Sequence, residues 1–480
     1  MKDGLAGGRV LLVKPSLGEL RQLVGRDLES VEEIGAAATA IIDKGQAELI
    51  AVTMGHRGAL LAWQDGTLHL PALPIEAKSA VGAGDSFLAA KPAALELIRE
   101  MGLESEVIGS NDHLRVTYIL KGGRLIPMPD GLMMMIPTKL LPMALSPLLG
   151  WGTKIKMGLE YFASSPPNAP ERSVAQLVRE HYGQEAVDYL AEPLLSGVYG
   201  GDPETLSANA VLGQFIELEK KYGSLTKGTL AMRAQRKGGP AGSLFKTLKG
   251  GLGQLIDAIT QKLEGKVERR TAAVQSLAKT ATGWQVALSD GAVLDVAKVI
   301  LAAPAGPASK IVANLDPALA AQLAAIPYNS SMTIALGYDR QTLGHPLNGF
   351  GFLIPKVERR KLVACTWVGT KFNHRVPADK AVLRCFLGGA HIDESDEVLI
   401  AAIRAELKDL MGVTAEPAFH TVQRWRNAMA QYTLGHQDRV KQIRALTARH
   451  SGFALAGNFL EGIGIPDCIR TGQAAVKQLN

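Results

Sequence analysis

The chain has 480 residues, 47% hydrophobic and 20% charged, a mix that suits a globular protein with a large core and excludes a disordered or fibrous one. Its net charge of +6 comes from scattered Lys and Arg with no nucleic-acid motif among them. That fits a solvated surface, or mild attraction to anionic lipid or an acidic small molecule. Cys365, Cys385 and Cys468 have neither zinc-site nor disulfide spacing, which points to a reducing, cytoplasmic setting. The N-terminal MKDGLAGGRV has no apolar signal core, and no run of about 20 apolar residues could span a bilayer. At roughly 100–200 residues per domain, the length allows two to four domains.

In chain order, VLLV (10–13) reads as a buried strand and 29–44 as an amphipathic helix capped at Glu29–Ser30. IAVTMG (50–55) and 59–70 read as strands, the second folded at Asp65-Gly66. Gly82-Ala83-Gly84 is expected to open a helix that runs past Phe87. Beyond about residue 110 the texture changes. LRVTYIL (114–120) and 124–126 suggest a hairpin about Gly122-Gly123. Residues 131–160 are apolar but broken by Pro137, Pro142 and Pro147. Helices are expected at 173–191, 206–222 and 397–411, and antiparallel strands over 267–301 and 331–388. The end reads as strand, Gly-rich loop and helix.

The segment SAVGAGDSF (79–87) has the chemistry of phosphoryl transfer. Glycines let backbone N–H groups face a phosphate, and the Asp after them can take a proton from an attacking hydroxyl. With KPSLGEL (14–20) and MGHRGA (54–59) ahead of it in order, residues 10–87 resemble the C-terminal region of ribokinase-like (PfkB) sugar kinases. That resemblance implies ATP and Mg as ligands. It casts Asp85 as catalytic base, Gly82, Ala83 and Gly84 as an anion hole, Glu19 in the metal–nucleotide network, and Gly55 and Gly58 as nucleotide-loop positions. Ser16 stands where that family has Asn, and the sugar-binding half is absent.

From Asp85 onward other motifs take over: GRLIPMPDGL (123–132), YLAEPLLSGVYGGDPETLS (189–207), ILAAPA (300–305), GFGFLIP (349–355) and LAGNFLEGIGIPDCIRTG (455–472). Glycines at a strand–helix junction permit close approach of backbone to a flat cofactor or its phosphates. In this order the motifs resemble FAD-dependent protoporphyrinogen or coproporphyrinogen oxidases of haem biosynthesis. The resemblance implies FAD as cofactor, molecular oxygen as electron acceptor and a porphyrinogen as substrate. It places Gly457, Gly462, Ile463, Gly464 and Ile465 against the flavin and Val274 against adenine. It gives Arg115 a substrate propionate, which a guanidinium can bind bidentately. Leu353 and Phe372 would sandwich the tetrapyrrole. Residues 131–160, with Trp151, Lys154 and Lys156 near their end, would be either a monotopic surface dipping into one leaflet or a buried wall of the substrate domain.

That family's N-terminal strand and G-x-G-x-x-G, with an acidic residue about 20 positions on, seat the dinucleotide pyrophosphate. No such element is found here; residues 1–84 occupy its place. The two families share DSFLA (85–89), and the sequence passes from one to the other inside that string, as a fused gene would. The expected fold is α/β plus α+β: a partial ribokinase-like fragment (1–87), a substrate and membrane-associated domain (88–240 and 311–440), and an incomplete Rossmann-like FAD-binding remnant (241–310 and 441–480). The expected activity is oxidation of protoporphyrinogen IX or coproporphyrinogen III, impaired by the gap. The alternatives are an ATP-dependent sugar (phosphofructo)kinase or a non-functional chimera. The setting is cytoplasmic, with peripheral contact to the membrane through 131–160.

Overall fold

The computed structural model describes residues 10–13, 17–28, 30–53, 59–64, 66–70, 86–164, 170–235 and 243–480. The chain divides into two compact units, Met1–Lys78 and Ser79–Asn480.

In the first unit Val10–Val13 pairs in parallel with Ala47–Thr53, which pairs antiparallel with Ala59–Trp63 and through it with Gly66–Leu70. The helix Val31–Asp43 starts in a capping box: Ser30 Oγ accepts the Glu33 N–H at 3.1 Å, and the Glu33 carboxylate accepts the Ser30 N–H at 3.2 Å. Ile34, Ala37, Ala38, Ile41 and Ile42, at helical spacing, are buried with Ile50, Val52, Leu60 and Ala62. Glu19 lies in the helix Leu17–Val24.

The helix expected to continue past Phe87 is not formed. Phe87–Leu88 is a strand paired with Phe245–Leu248, and the next helix, Ala93–Glu100, begins only after Pro92. Pairing to a strand far along the chain overrides the local helix signal, and Pro92 suits a helix start rather than its interior. Gly82, Ala83, Gly84 and Asp85, with Gly55 and Gly58, lie outside the described residues.

The second unit is built on a seven-stranded sheet in the order Phe419–Ala430, Tyr328–Asp339, Lys380–Gly388, Leu362–Trp367, Gly351–Leu353, Thr117–Lys121, Arg124–Pro127. Only Gly351–Leu353 and Thr117–Lys121 run parallel within it. The expected hairpin turns at Gly122 (φ 57°) and Gly123 (φ 76°), the two positive φ angles of a type I′ turn. The helix Asp396–Met411 buries Leu399, Ile403, Leu407 and Met411 in one core with Ile334, Leu336 and Leu383.

The expected helix over 173–191 is interrupted. Val174–Tyr182 ends at Gly183 (φ 91°), and a π-turn over Val187–Ala191 leads into Glu192–Tyr199. Gly183 leaves helical backbone, and Pro193 brings no N–H to the start of the following helix.

Toward the C-terminus lie a three-stranded antiparallel sheet (Val274–Lys279, Trp284–Leu288, Val293–Val296) and a parallel pair, Val299–Leu301 with Phe453–Leu455. The fifteen-residue helix Ile465–Leu479 closes the chain. Among the described residues Phe453–Leu455 has that single strand neighbour, although all three of its residues are buried.

Candidate functional site

Two places collect the residues singled out in the sequence. One is the loop between Phe453–Leu455 and the last helix. Gly457 has φ 144°, backbone that side-chain-bearing residues rarely adopt, and its N–H donates to Thr471 Oγ1 at 3.2 Å. Gly462 (φ 81°) has no room for a side chain: a Cβ there would stand 2.3 Å from Asp467 Cγ. Asp467, in the first turn of the helix, is almost fully buried and accepts from Lys91 Nζ at 2.5 Å. That ion pair ties the segment before Ala93–Glu100 to the last helix.

Gly464 is the N-cap and has no side chain with which to cap it. The Ile465 N–H has no bond among the described residues, so the positive end of a long helix is open there. Ile463 is buried in the core beside Phe459 and Leu460, and Ile465 is half-buried. Tyr432 Oη donates to the Asn458 carbonyl at 2.5 Å and stacks on His436 at 4.0 Å. His436 Nε2 in turn meets the Leu460 carbonyl at 3.1 Å. Burial lowers the pKa of His436, so it acts as a neutral strut for this loop. Val274 begins the first strand of the three-stranded sheet, opposite Leu288, and is half-buried against the same core.

The second place is a junction of three segments distant in sequence. The Asn111 N–H donates to the Lys371 carbonyl at 3.0 Å. Asn111 Nδ2 donates to the Thr370 carbonyl at 2.9 Å and to Asn373 Oδ1 at 3.1 Å. The Ser110 N–H donates to the Phe245 carbonyl at 2.9 Å, and Asp112 Oδ2 accepts the Leu244 N–H at 2.8 Å. A 3-10 turn over Asp112–Leu114 then delivers Arg115, which is exposed and makes no side-chain hydrogen bond or ion pair among the described residues. Phe372, directly after Lys371, is fully buried. Leu353 lies one strand over, opposite Ile119 and within van der Waals reach of Gly197. The structure therefore brings Arg115 and Phe372 to one junction, with Leu353 further along the same sheet. Asn111, which holds the junction together, gave no signal in the sequence because its partners lie some 260 positions away.

A third feature is an exposed apolar face. Leu140, Leu141, Leu145, Trp151, Leu159 and Phe162 are each between 63% and 79% exposed on two short helices and the turn after them. Lys154 Nζ lies 4.6 Å from the Trp151 ring centre. Within 131–160, Met135, Ile136, Met143, Leu148, Leu149 and Met157 are buried in a core, so one side of the stretch lines the interior while this face is exposed. No helix among the described residues is long and apolar enough to cross a membrane.

The fold is that of flavin-dependent oxidoreductases, and the chain belongs to the flavin-containing amine oxidoreductase family, whose model matches residues 83–480. Within it, the relatives are porphyrinogen oxidases. Coproporphyrinogen III oxidase of Bacillus subtilis (strain 168) is 33% identical over 401 residues, covering 82% of this chain and 84% of that protein. The coproporphyrinogen III oxidase of Propionibacterium freudenreichii subsp. freudenreichii is 32% identical over 425 residues, covering 80% and 79%. A crystal structure from Exiguobacterium sp. 255-15, provisionally assigned as a protoporphyrinogen oxidase, superposes with a TM-score of 0.72 at 27% identity over 98% of each chain. The pfkB family carbohydrate kinase model matches residues 6–105, a short N-terminal stretch that overlaps the oxidase match around the shared DSFLA.

Family membership implies FAD. The open helix end at Gly464–Ile465 fits the ring end of a flavin, whereas the missing side chain at Gly457 makes room for the Phe459 ring. The missing side chain at Gly462 serves Asp467 instead. The sequence lacks the G-x-G-x-x-G that would seat the pyrophosphate, and Phe453–Leu455 has one strand neighbour among the described residues.

Proposed function

We propose that this chain is a porphyrinogen-oxidising flavoprotein that keeps its substrate side and binds FAD weakly. The observation that carries the reading is the junction at Asn111, from which depart both Arg115, exposed and without a side-chain bond among the described residues, and the buried Phe372. In this reading Arg115 holds a propionate and Leu353 presents apolar surface to the tetrapyrrole, while Phe372, fully buried, lies behind the site. The backbone around Gly457 and Ile463–Ile465, with Val274, faces the cofactor. Residues 88–240 and 311–440 form the substrate side, 241–310 and 441–480 the flavin side, and 1–87 is a kinase-derived leader. Bound FAD would supply the hydride acceptor, with molecular oxygen as terminal oxidant. The kinase alternative is disfavoured because Phe87–Leu88 is a strand where that site needs a helix N-terminus.

The test is titration of the purified chain with coproporphyrin III, followed by fluorescence, alongside porphyrin formation from coproporphyrinogen III with added FAD. Binding is expected, with slow turnover that rises with FAD concentration. Arg115→Ala should weaken porphyrin binding roughly tenfold to a hundredfold, the scale of a charge-assisted hydrogen bond. Absence of porphyrin binding, or ATP-dependent phosphorylation of fructose 6-phosphate, would overturn the reading.

The exposed face at 140–162 supports peripheral contact with one leaflet of a membrane. Apolar groups at this density on a protein surface mark an interaction site, and Lys139, Lys154 and Lys156 border it, bonded to Asp130 and to the Ala144 and Arg179 carbonyls. Flotation with anionic vesicles should recover the wild-type chain. Leu145→Glu combined with Trp151→Glu should reduce recovery about tenfold and leave the melting temperature unchanged. Equal recovery of both would remove the lipid reading.

A further inference from the structure

Lys380–Gly388 lies inside the seven-stranded sheet, and its side chains alternate between the two faces. Leu383, Cys385 and Leu387 enter the core shared with the helix Asp396–Met411. Phe386, between them, takes the opposite face and is only half-buried. The register carries that face across the sheet. Phe386 stands opposite Ala364, and Ala364 stands opposite Leu353. On its other flank Phe386 stands opposite Thr333, whose hydroxyl accepts the Trp425 indole N–H at 3.4 Å.

Directly opposed residues of antiparallel strands share a face, so Leu353, Ala364, Phe386 and Thr333 form one row. Two strand spacings of about 4.8 Å set the Leu353 and Phe386 backbones on the order of 10 Å apart, with only an alanine methyl between them. At the Leu353 end the helix Glu192–Tyr199 presents Gly197, where a Cβ would stand 3.6 Å from Leu353 Cδ2. Arg115 stands just ahead of Thr117–Lys121, the strand beside Gly351–Leu353, so the guanidinium and the apolar row belong to one sheet. A half-buried phenyl leaves apolar surface in water, and a flat apolar ligand along the row would cover it.

We propose that Phe386 is the aromatic contact of the tetrapyrrole, partnered by Leu353 across Ala364, so that the macrocycle lies along this row. The inference rests on the porphyrinogen reading and moves the aromatic contact from Phe372, which is fully buried, to Phe386. A ring at this position offers a face or an edge to a planar π-system, and the small Ala364 keeps the stretch between Phe386 and Leu353 clear.

The test measures affinity for coproporphyrin III by fluorescence in wild type and three variants, with melting temperatures recorded alongside. Phe386→Tyr keeps the ring and should bind within about twofold of wild type. Phe386→Leu keeps apolar bulk without the ring and should bind about threefold to tenfold more weakly at an unchanged melting temperature. Phe386→Ala should bind more weakly still. If Phe386→Leu binds as wild type does, the ring makes no contact with the ligand, and the proposal fails while the porphyrinogen reading stands. If Phe386→Tyr and Phe386→Leu lose affinity alike and only as far as their melting temperatures fall, Phe386 merely packs the sheet and the proposal fails in the same way. If wild type binds no porphyrin, both readings fall together.

Discussion

Glu219→Ala should destabilise the larger unit by about 3–5 kcal/mol, the range seen when one partner of a buried ion pair is removed. Glu219, Glu160, His181 and Arg172 are each less than 8% exposed and form one network among the helices. His181 Nδ1 meets Glu160 Oε1 at 2.7 Å, and its Nε2 meets Glu219 Oε1 at 2.9 Å. A ring with a carboxylate at both nitrogens donates from both, so His181 is an imidazolium. Arg172 donates to Glu219 and, at 2.6 Å, to Glu180. Glu160 also accepts the N–H groups of Leu225 (2.7 Å) and Thr226 (3.0 Å) and the Ser224 hydroxyl (3.0 Å), capping the start of the helix Leu225–Gln235. Removing Glu219 takes the buried acceptor from His181 Nε2 and from one Arg172 nitrogen, and each cation keeps a single carboxylate, Glu160 and Glu180 respectively. Chemical denaturation followed by circular dichroism reads the loss directly, and a change below about 1 kcal/mol would mean the network contributes little.

The same network sets a pH profile. Burial alone would raise the pKa of Glu219, but the bonds from His181 and Arg172 outweigh it and hold it down to about 2. Glu160 is likewise lowered against its burial by bonds from His181 and Thr226. These carboxylates contribute stability above their unfolded values, roughly 4.3, and lose it as pH falls through their lower folded values. Burial would lower His181, but its bonds to Glu160 and Glu219 raise it instead. Its contribution is complete below the unfolded value of roughly 6.5 and fades as pH rises through the raised folded value. Stability should therefore peak between about pH 4.5 and 6.5. His181→Gln should lower that peak and flatten the alkaline decline, in melts recorded from pH 4 to 9. An unchanged alkaline limb would show that His181 does not titrate with folding.

What was legible in the sequence was local. Ser30 with Glu33, the Gly122-Gly123 turn and the periodicity over 397–411 each carry their signal within a few residues, and the structure places a cap, a hairpin and a helix there. Distant pairings were not legible. Phe87–Leu88 looks like the start of a helix until Phe245 takes it into a strand. Nothing near Asn111 announces Thr370, and nothing near Glu160 announces His181 or Ser224. Arg115, Leu353, Phe372 and Val274 stood out only through resemblance, because a lone arginine, aromatic or valine is ordinary by composition.

Splicing a strand–Gly-x-Gly-x-x-Gly–helix segment ahead of Asp85 in place of residues 1–84 should raise FAD retention from well below one per chain to near one. A dinucleotide pyrophosphate is held by backbone N–H groups at a Gly-rich turn and by the helix that follows it. Losing several such charge-assisted bonds weakens binding roughly a thousandfold or more. Phe453–Leu455 is buried on every residue, as an interior parallel strand is, yet pairs among the described residues only with Val299–Leu301. The open helix end at Gly464–Ile465 remains, and by itself it offers a flavin a few weak contacts. Absorbance near the flavin band, after incubation with FAD and desalting, measures the outcome in both proteins. A graft whose glycines are changed to valine should behave like the unaltered chain. Stoichiometric flavin on the unaltered chain would mean that the leader rebuilds a phosphate site, and that the gap read from the sequence is filled by residues bearing no resemblance to the fingerprint.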